Sequence, residues 1–318
     1  MRCIFAGTPE VAIPVLKALA ESSHEVAAVL TRPDAPKGRG RTLYPSPVAE
    51  AAVNLGIPVI KANRITPEVE AELASYAPAV AVIVAYGALI PASALQLPTH
   101  GWLNLHYSLL PRWRGAAPVQ RAIQAGDTVT GAAVFQLEEG LDTGPIFASL
   151  ERPLSDLDTT SEVLTDLSQK GASLMVEVLN GIQEGSIFAQ AQPDTEVTYA
   201  QKISREDAEI SFAASASMAA RAIHAVTSHP GAFTWRGDSR LKLGAVLVRS
   251  YDELGLEPAE PGTITATKHS VYVHCADALV ELTTVAPAGK GWMKAADWAR
   301  GARLAPGERL GRFHGEVA

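Results

Sequence analysis

The chain has 318 residues, 47% of them hydrophobic and 19% charged, with a formal net charge of −7. That length accommodates one large domain or, better, two, and the balance is that of a folded globular protein, which excludes a disordered or low-complexity polymer. The acidic total excludes a basic coat for nucleic acid but leaves room for a local Lys/Arg patch, because phosphates are met by local clusters and not by net charge.

In chain order, residues 2–6 predict a strand, Gly7, Thr8 and Pro9 a turn, and residues 10–21 a helix. A strand at 26–30, a polar loop at 31–45, a helix at 46–55, a short strand at 58–60 and a helix at 67–76 follow. The run Ala79-Val80-Ala81-Val82-Ile83-Val84 is continuously apolar, the pattern of a strand buried on both faces. A helical turn at 91–95 leads to a strand at 101–106. This βαβ rhythm predicts an α/β fold with a Rossmann-like, mainly parallel sheet. A helix at 118–125 closed by Gly126, strands at 130–137 and 146–150, and a long helix at 160–182 complete the first part.

The character changes at 185–199, where Gln190, Gln192, Pro193 and Asp194 have the look of an exposed linker. An Ala-rich helix at 211–225 precedes β-rich segments at 233–235, 241–249, 262–267, 270–274 and 279–285, which suggest a small OB-like β-barrel. The expected division is therefore 1–189, a linker at 190–206, and 207–318. Residues 1–189 hold 13 Lys/Arg against 19 Asp/Glu, and residues 190–318 hold 14 against 15, so the second part is nearly neutral and ends in a more basic tail.

Cys3 and Cys275 lie in apolar runs and read as buried free thiols; no Cys or His cluster has zinc-site spacing, so no metal is expected. No signal peptide and no membrane span are expected either, since no charged segment precedes a long apolar core and no apolar run approaches the ~20 residues a bilayer requires. A reducing cytoplasm is the expected compartment.

Chemistry concentrates after residue 101. Asn104 and His106 are two apart on a predicted strand, so their side chains share a face, and a Pro- and Gly-punctuated loop follows at the strand's carboxyl end, where open α/β sheets bind ligands. Asp142 sits in the loop Gly140-Leu141-Asp142-Thr143-Gly144. An Asn amide can donate to a developing oxyanion, a His can donate or move protons, and an Asp beside it would orient the imidazole and raise its pKa. The trio suits acyl transfer to an amine. No nucleophile elbow accompanies Ser108, so direct attack by the substrate amine is expected. On residue types alone a plainer reading stays open: a His after an apolar strand is usually structural, and an Asp between glycines is often a turn former.

Longer motifs add to this reading. Asn104-Leu105-His106-Tyr107-Ser108-Leu109-Leu110-Pro111-Arg112-Trp113-Arg114-Gly115-Ala116-Ala117-Pro118 resembles the signature of the folate-dependent formyltransferases. Phe5-Ala6-Gly7-Thr8-Pro9-Glu10, Glu139-Gly140-Leu141-Asp142-Thr143-Gly144 and Val197-Thr198-Tyr199-Ala200-Gln201-Lys202-Ile203 extend the resemblance over nearly the whole chain, closest to the family's tRNA-acting branch. Val11, Ala12 and Tyr107 depart from it without touching the trio.

The resemblance implies formyl transfer from 10-formyltetrahydrofolate to the α-amino group of initiator methionyl-tRNA. It implies that 1–189 is the catalytic, folate-binding domain and 207–318 a tRNA-binding domain. It gives Asn104, His106 and Asp142 as the catalytic residues and Ser108, Leu109, Leu110 and Pro111 as a folate-contacting loop. Main-chain groups of Tyr86 and Gly87, after the apolar strand, are further candidates for the pterin. The loop at 32–41 carries Arg32, Lys37, Arg39 and Arg41 against Asp34, and the resemblance implies that it meets the tRNA acceptor end. Without a G-x-G-x-x-G after the first strand it is no dinucleotide site, which disfavours a nicotinamide oxidoreductase. A sister formyltransferase acting on a different amine, or a nucleic-acid-binding module on an inactive enzyme fold, would carry many of the same features. A monomer is expected.

Overall fold

The computed structural model describes residues 1–36 and 42–312. The chain divides into two compact units that interleave in sequence. One comprises Met1–Gly115, Val129–Arg152 and Leu164–Ala200, the other Ala116–Thr128, Pro153–Val163 and Gln201–Ala318.

The first unit is built on seven strands: β1 (Arg2–Gly7), β2 (Glu25–Thr31), β3 (Val59–Lys61), β4 (Val80–Val84), β5 (Trp102–His106), β6 (Val129–Gln136) and β7 (Ile146–Pro153). Their order across the sheet is β7-β6-β5-β4-β1-β2-β3. β1 pairs in parallel with β2 and β4, β2 with β3, and β4 with β5; β6 lies antiparallel to β5. The mainly parallel sheet expected from the alternation is present. β4 is buried at every position, as its unbroken apolar run requires. Ile4, Ala6, Leu30, Ala81, Ile83 and Trp102 pack into one cluster on the sheet.

Local signals set the element ends. The helix Pro47–Asn54 starts where Ser46 accepts the Ala49 N–H at 3.0 Å with proline in the first helical position. Residues 10–12, expected as helix, form a single 3-10 turn, and the helix proper is Ile13–Glu21 with Pro14 in its first turn. Two short strands, Ala35–Pro36 and Leu43–Tyr44, pair antiparallel at the base of the basic loop. Lys37, Arg39 and Arg41 lie outside the described residues.

The second unit is rich in antiparallel sheet, but its described strands form no closed barrel. Phe233–Arg236, Ser239–Leu243, Thr284–Pro287 and Met293–Lys294 make one four-stranded sheet, and Val246–Arg249, Leu279–Leu282, Val271–His274 and Ile264–Ala266 make another. The segments expected as single strands at 241–249 and 279–285 each switch sheets, at Gly244-Ala245 and at Thr283. The two corners are tied to each other: Gly244 N–H donates to the Thr284 carbonyl at 2.9 Å, and the Thr283 hydroxyl donates to the Ala245 carbonyl. The helix expected at 211–225 is shorter, Ala216–Ala225, because Ser215 caps it by accepting the Met218 N–H. A helix at Ala295–Ala302 has no counterpart among the expected elements. Among the described residues, no helix is long and apolar enough to cross a membrane.

Two buried histidines hold this second unit in their neutral form. His224 is 1% exposed; its Nδ1–H donates to the Asp156 carbonyl at 3.0 Å while Nε2 accepts the Val246 N–H at 3.1 Å. His274 is 2% exposed; Nδ1 accepts the Ala259 N–H at 3.1 Å and Nε2–H donates to Thr265 Oγ1 at 2.9 Å. Burial holds both below the ordinary histidine value of 6.5. On unfolding, each ring regains that value and binds a proton more readily, so the stability each confers is complete above pH 6.5 and is lost as pH falls below it. The urea midpoint is therefore expected to hold steady from pH 8 to 7 and to fall toward pH 5. His224→Gln should flatten that fall; an unchanged slope in the variant would remove His224 from the account.

Candidate active site

The strand order reverses between β1 and β4, and the loops leaving the carboxyl ends of these strands meet there. Open parallel sheets bind ligands at such a switch point. Thr8, just past β1, ties the loops together. Its hydroxyl donates to the Tyr86 carbonyl beyond β4 at 2.8 Å and accepts the Arg32 N–H beyond β2 at 3.4 Å. Tyr86 is buried, and its phenol donates to the Ala62 carbonyl at 2.8 Å. Its neighbours Ala85 and Gly87 both take positive φ, at 49° and 85°, and Leu89 beyond them is exposed. Arg32 turns back onto this rim: its guanidinium donates to the Asn63 carbonyl at 2.7 Å and to the Gly87 carbonyl at 3.3 Å.

β5 delivers Asn104 and His106 to the same end of the sheet. Asn104 is partly accessible and His106 is 6% exposed, its ring edge-on to Phe135 of β6 with centroids 6.2 Å apart. His106 Nε2 lies 2.9 Å from the Trp113 carbonyl. A carbonyl only accepts, so Nε2 carries a proton. Nδ1 faces Asp142 Oδ2 at 3.7 Å, just beyond direct hydrogen-bond reach. Burial lowers the His106 pKa below the ordinary 6.5; the Asp142 charge and the Trp113 bond push it up without overcoming burial. The expectation that the carboxylate would leave the imidazole with a raised pKa is corrected here, because desolvation of the cation outweighs the attraction. The resting ring is neutral, with its bare Nδ1 turned to the carboxylate.

Ser108 is fully buried and donates to the Arg112 carbonyl at 2.6 Å, which closes the turn at the head of the expected folate loop. Leu110 packs with Ala133 and Phe135, and a Cβ on Gly131 would press on Leu109. Pro111 is buried. The structure thus brings His106 and Asp142 together at the end of the strand that carries Asn104, sets Tyr86, Gly87 and Arg32 around the switch point, and anchors the 108–111 loop on β6. Among the described residues no three His, Cys, Asp or Glu side chains are placed to hold a metal.

Comparison with known proteins agrees with this geometry. The formyl transferase family model matches residues 1–179 and the formyl transferase C-terminal domain matches 202–303. The methionyl-tRNA formyltransferase of Nocardioides sp. is 49% identical over 317 residues, covering 99% of this chain and 100% of its own. That of Acidothermus cellulolyticus is 50% identical over 323 aligned positions, covering 98% and 100%. The chain belongs to the methionyl-tRNA formyltransferase family. HypX from Aquifex aeolicus, solved in complex with tetrahydrofolic acid, shares the fold at 16% identity with a TM-score of 0.68 over 97% of this chain and 48% of that one.

In this member of the methionyl-tRNA formyltransferase family, hydrogen bonds bring further residues to the site to which the motifs gave no role. Asp142 Oδ2 accepts the Gly115 N–H at 2.7 Å. Gln192, in the stretch expected as a linker, donates to the carbonyls of Asp142 and Gly144, each at 2.8 Å. Thr198 accepts the Trp113 N–H at 2.8 Å. Polar composition hid Gln192, since a Gln beside a Pro reads as surface; the available signal was that Thr198 lies inside the motif Val197–Ile203 and Gln192 shortly before it. Gly115 has φ 122° and pairs with Ala200; a Cβ there would stand 2.7 Å from the Ala200 carbonyl oxygen. Gly115→Ala is expected to destabilise the fold by about 1–3 kcal/mol through backbone strain and loss of that pairing, read as a lower urea midpoint. A midpoint equal to the parent's would show that the backbone yields freely at this position.

Proposed function

We propose that this chain transfers the formyl group of 10-formyltetrahydrofolate to the α-amino group of initiator methionyl-tRNA, for translation initiation. The observation that carries the reading is the neutral His106 ring facing the Asp142 carboxylate at the end of the strand bearing Asn104, in a chain half identical to named methionyl-tRNA formyltransferases. Donor and acceptor meet at this strand end. The amine lone pair attacks the formyl carbon, a C–N bond forms, and the carbonyl electrons move onto oxygen. The Asn104 amide donates to that oxyanion, and the His106 N–H supports it, the oxyanion competing with the Trp113 carbonyl for the same proton. The proton released by the attacking nitrogen passes to the pair of His106 Nδ1 and Asp142 and is returned to the folate nitrogen as its bond to the formyl carbon breaks. The balance is one C–N bond made, one broken, and one proton moved from amine to folate.

Ser108, Leu109, Leu110 and Pro111, with backbone groups at Tyr86 and Gly87, would line the folate side. The turn-closing Ser108 bond and the packing of Leu110 on β6 give that wall its shape, and exposed Leu89 offers an apolar neighbour for a flat ring. Arg32, Lys37, Arg39 and Arg41 would meet the tRNA acceptor end. We read 1–189 as the catalytic domain, 190–206 as the connection and 207–318 as an open OB-like barrel that holds the tRNA arm. The chain would act as a cytoplasmic monomer.

The test is formyl transfer from labelled 10-formyltetrahydrofolate to initiator methionyl-tRNA, with elongator methionyl-tRNA beside it. Product on the initiator alone is expected; transfer to an amino sugar nucleotide with none on tRNA would reassign the chain to a sister activity. Asn104→Ala should lower kcat by about 10²–10³-fold, as the loss of one oxyanion donor does, with tRNA affinity held. Equal losses in rate and affinity would refute that role. Arg39→Ala and Arg41→Ala should raise KM for tRNA and each reduce the salt slope by about 1; an unchanged slope would sink the loop assignment.

A further inference from the structure

We propose that Gln192 and Thr198 are positioning residues for formyl transfer, fixing the two groups that His106 faces: Asp142 on one side and the Trp113 carbonyl on the other. This rests on the activity proposed above and adds to it a part of the chain that no motif assigns to the site.

The chemistry of Gln192 leaves one orientation. Its Oε1 accepts from Arg114 Nη2 at 2.7 Å and Nε at 3.1 Å, and a guanidinium can only donate. Its Nε2 donates to the carbonyls of Asp142 and Gly144, which can only accept. The amide therefore staples the 140–144 loop to the segment Arg114–Gly115. That segment in turn supplies the Gly115 N–H to Asp142 Oδ2. Asp142 sits at φ 52°, a left-handed backbone that a non-glycine residue keeps only when its surroundings hold it. Gln192 holds the backbone of Asp142, and Gly115 holds its carboxylate.

Thr198 does the corresponding work on the far side of the ring. Its hydroxyl accepts the N–H of Trp113, itself at φ 63°, and its carbonyl accepts the Arg114 N–H at 2.9 Å. Tyr199 and Ala200 then pair in parallel with Arg114 and Gly115. The Trp113 peptide is thereby fixed so that its carbonyl reaches His106 Nε2. The segment from Gln192 to Ala200 thus sets both partners of the imidazole, the 2.9 Å bond that places its proton and the 3.7 Å gap to the carboxylate. Asp142 is the charged group facing His106; the Trp113 carbonyl and the Phe135 ring are neutral. Displacing either partner removes an influence that pushes the histidine's pKa up.

The test compares the full-length parent with Gln192→Ala, Thr198→Val and Thr198→Ser. Gln192→Ala and Thr198→Val should lower kcat about 10- to 100-fold, the scale on which a misplacement of about 1 Å acts, with both KM values changing less than about threefold. Thr198→Ser, which keeps the accepting hydroxyl, should recover most of the loss seen in Thr198→Val. The acid limb of the kcat profile should move to lower pH in the two impaired variants. Nitrogen-15 histidine NMR should show the His106 titration moving the same way, with its Nε2 proton signal broadened or lost. A fall in kcat with the acid limb and the NMR titration unmoved, or kcat and KM falling in proportion to lost thermal stability, would overturn the positioning role. If the parent transfers no formyl group, the proposed activity fails, while the NMR titration still decides whether these two residues set the histidine.

Discussion

Burial of one imidazole is the constraint on which the site depends. His106 stands at the end of a strand interior to the sheet, edge-on to Phe135, where charge is expensive. A carboxylate 3.7 Å away favours the charged ring, and burial wins. The ring therefore starts neutral, able both to donate through Nε2 and to accept at Nδ1. A fully charged imidazolium would have no lone pair left for the proton that amine attack releases. A ring that met no carboxylate would have nowhere to share that proton. The site lies between these limits, and small changes in the Asp142 position would move it toward one or the other.

Around this ring the backbone carries strain. Ala85, Trp113 and Asp142 take positive φ without being glycine; the first two lie on loops that leave the carboxyl end of the parallel strands, and Asp142 lies on the loop after the antiparallel strand β6. Each such residue costs roughly 1–3 kcal/mol unless its neighbours over-determine it. Those neighbours are identifiable: Thr8 grips the Tyr86 carbonyl next to Ala85, Thr198 grips the Trp113 N–H, and Gln192 with Gly115 grips Asp142. The strain is thus offset by specific side-chain to backbone bonds, and the loops are held at angles that free chains seldom adopt.

The sheet was legible because its strands obey simple rules. An apolar run such as 79–84 can only be buried on both faces, and alternation with helices forces parallel neighbours. Asn104, His106 and Asp142 were legible as a set of residue types, and the family motif joined them. The His106 pKa direction was not, since pairwise chemistry names the carboxylate but says nothing of burial. The contacts of Gln192 and Thr198 were hidden because a polar stretch with proline has the composition of a linker whether it is solvated or hydrogen-bonded to a loop. The corners at Gly244-Ala245 and Thr283 were hidden for a related reason: residues on both sides are strand-like, and only the cross-strand bonds between the corners show that the chain changes sheets there. A closed barrel was the natural expectation from strand spacing, which counts strands without saying how they pair.

Arg32 serves the fold through its guanidinium, and the tRNA role proposed for it would use the same pinned charge. The chain is acidic overall, so any attraction for tRNA must be local, acting within the ~8–10 Å over which salt lets exposed charges interact. Arg32 stands at the root of the 32–41 loop, yet its guanidinium donates to the carbonyls of Asn63 and Gly87. Those bonds leave its positive charge uncancelled, because carbonyls are neutral. They also fix that charge beside the rim that Tyr86 and Gly87 form at the switch point. A cation pinned in this way loses little side-chain entropy when a phosphate arrives, unlike a free lysine, which must be ordered on binding. The acceptor end of a tRNA would then meet a charge already set in place next to the folate side, and the geometry that stabilises the loop root would align donor and acceptor.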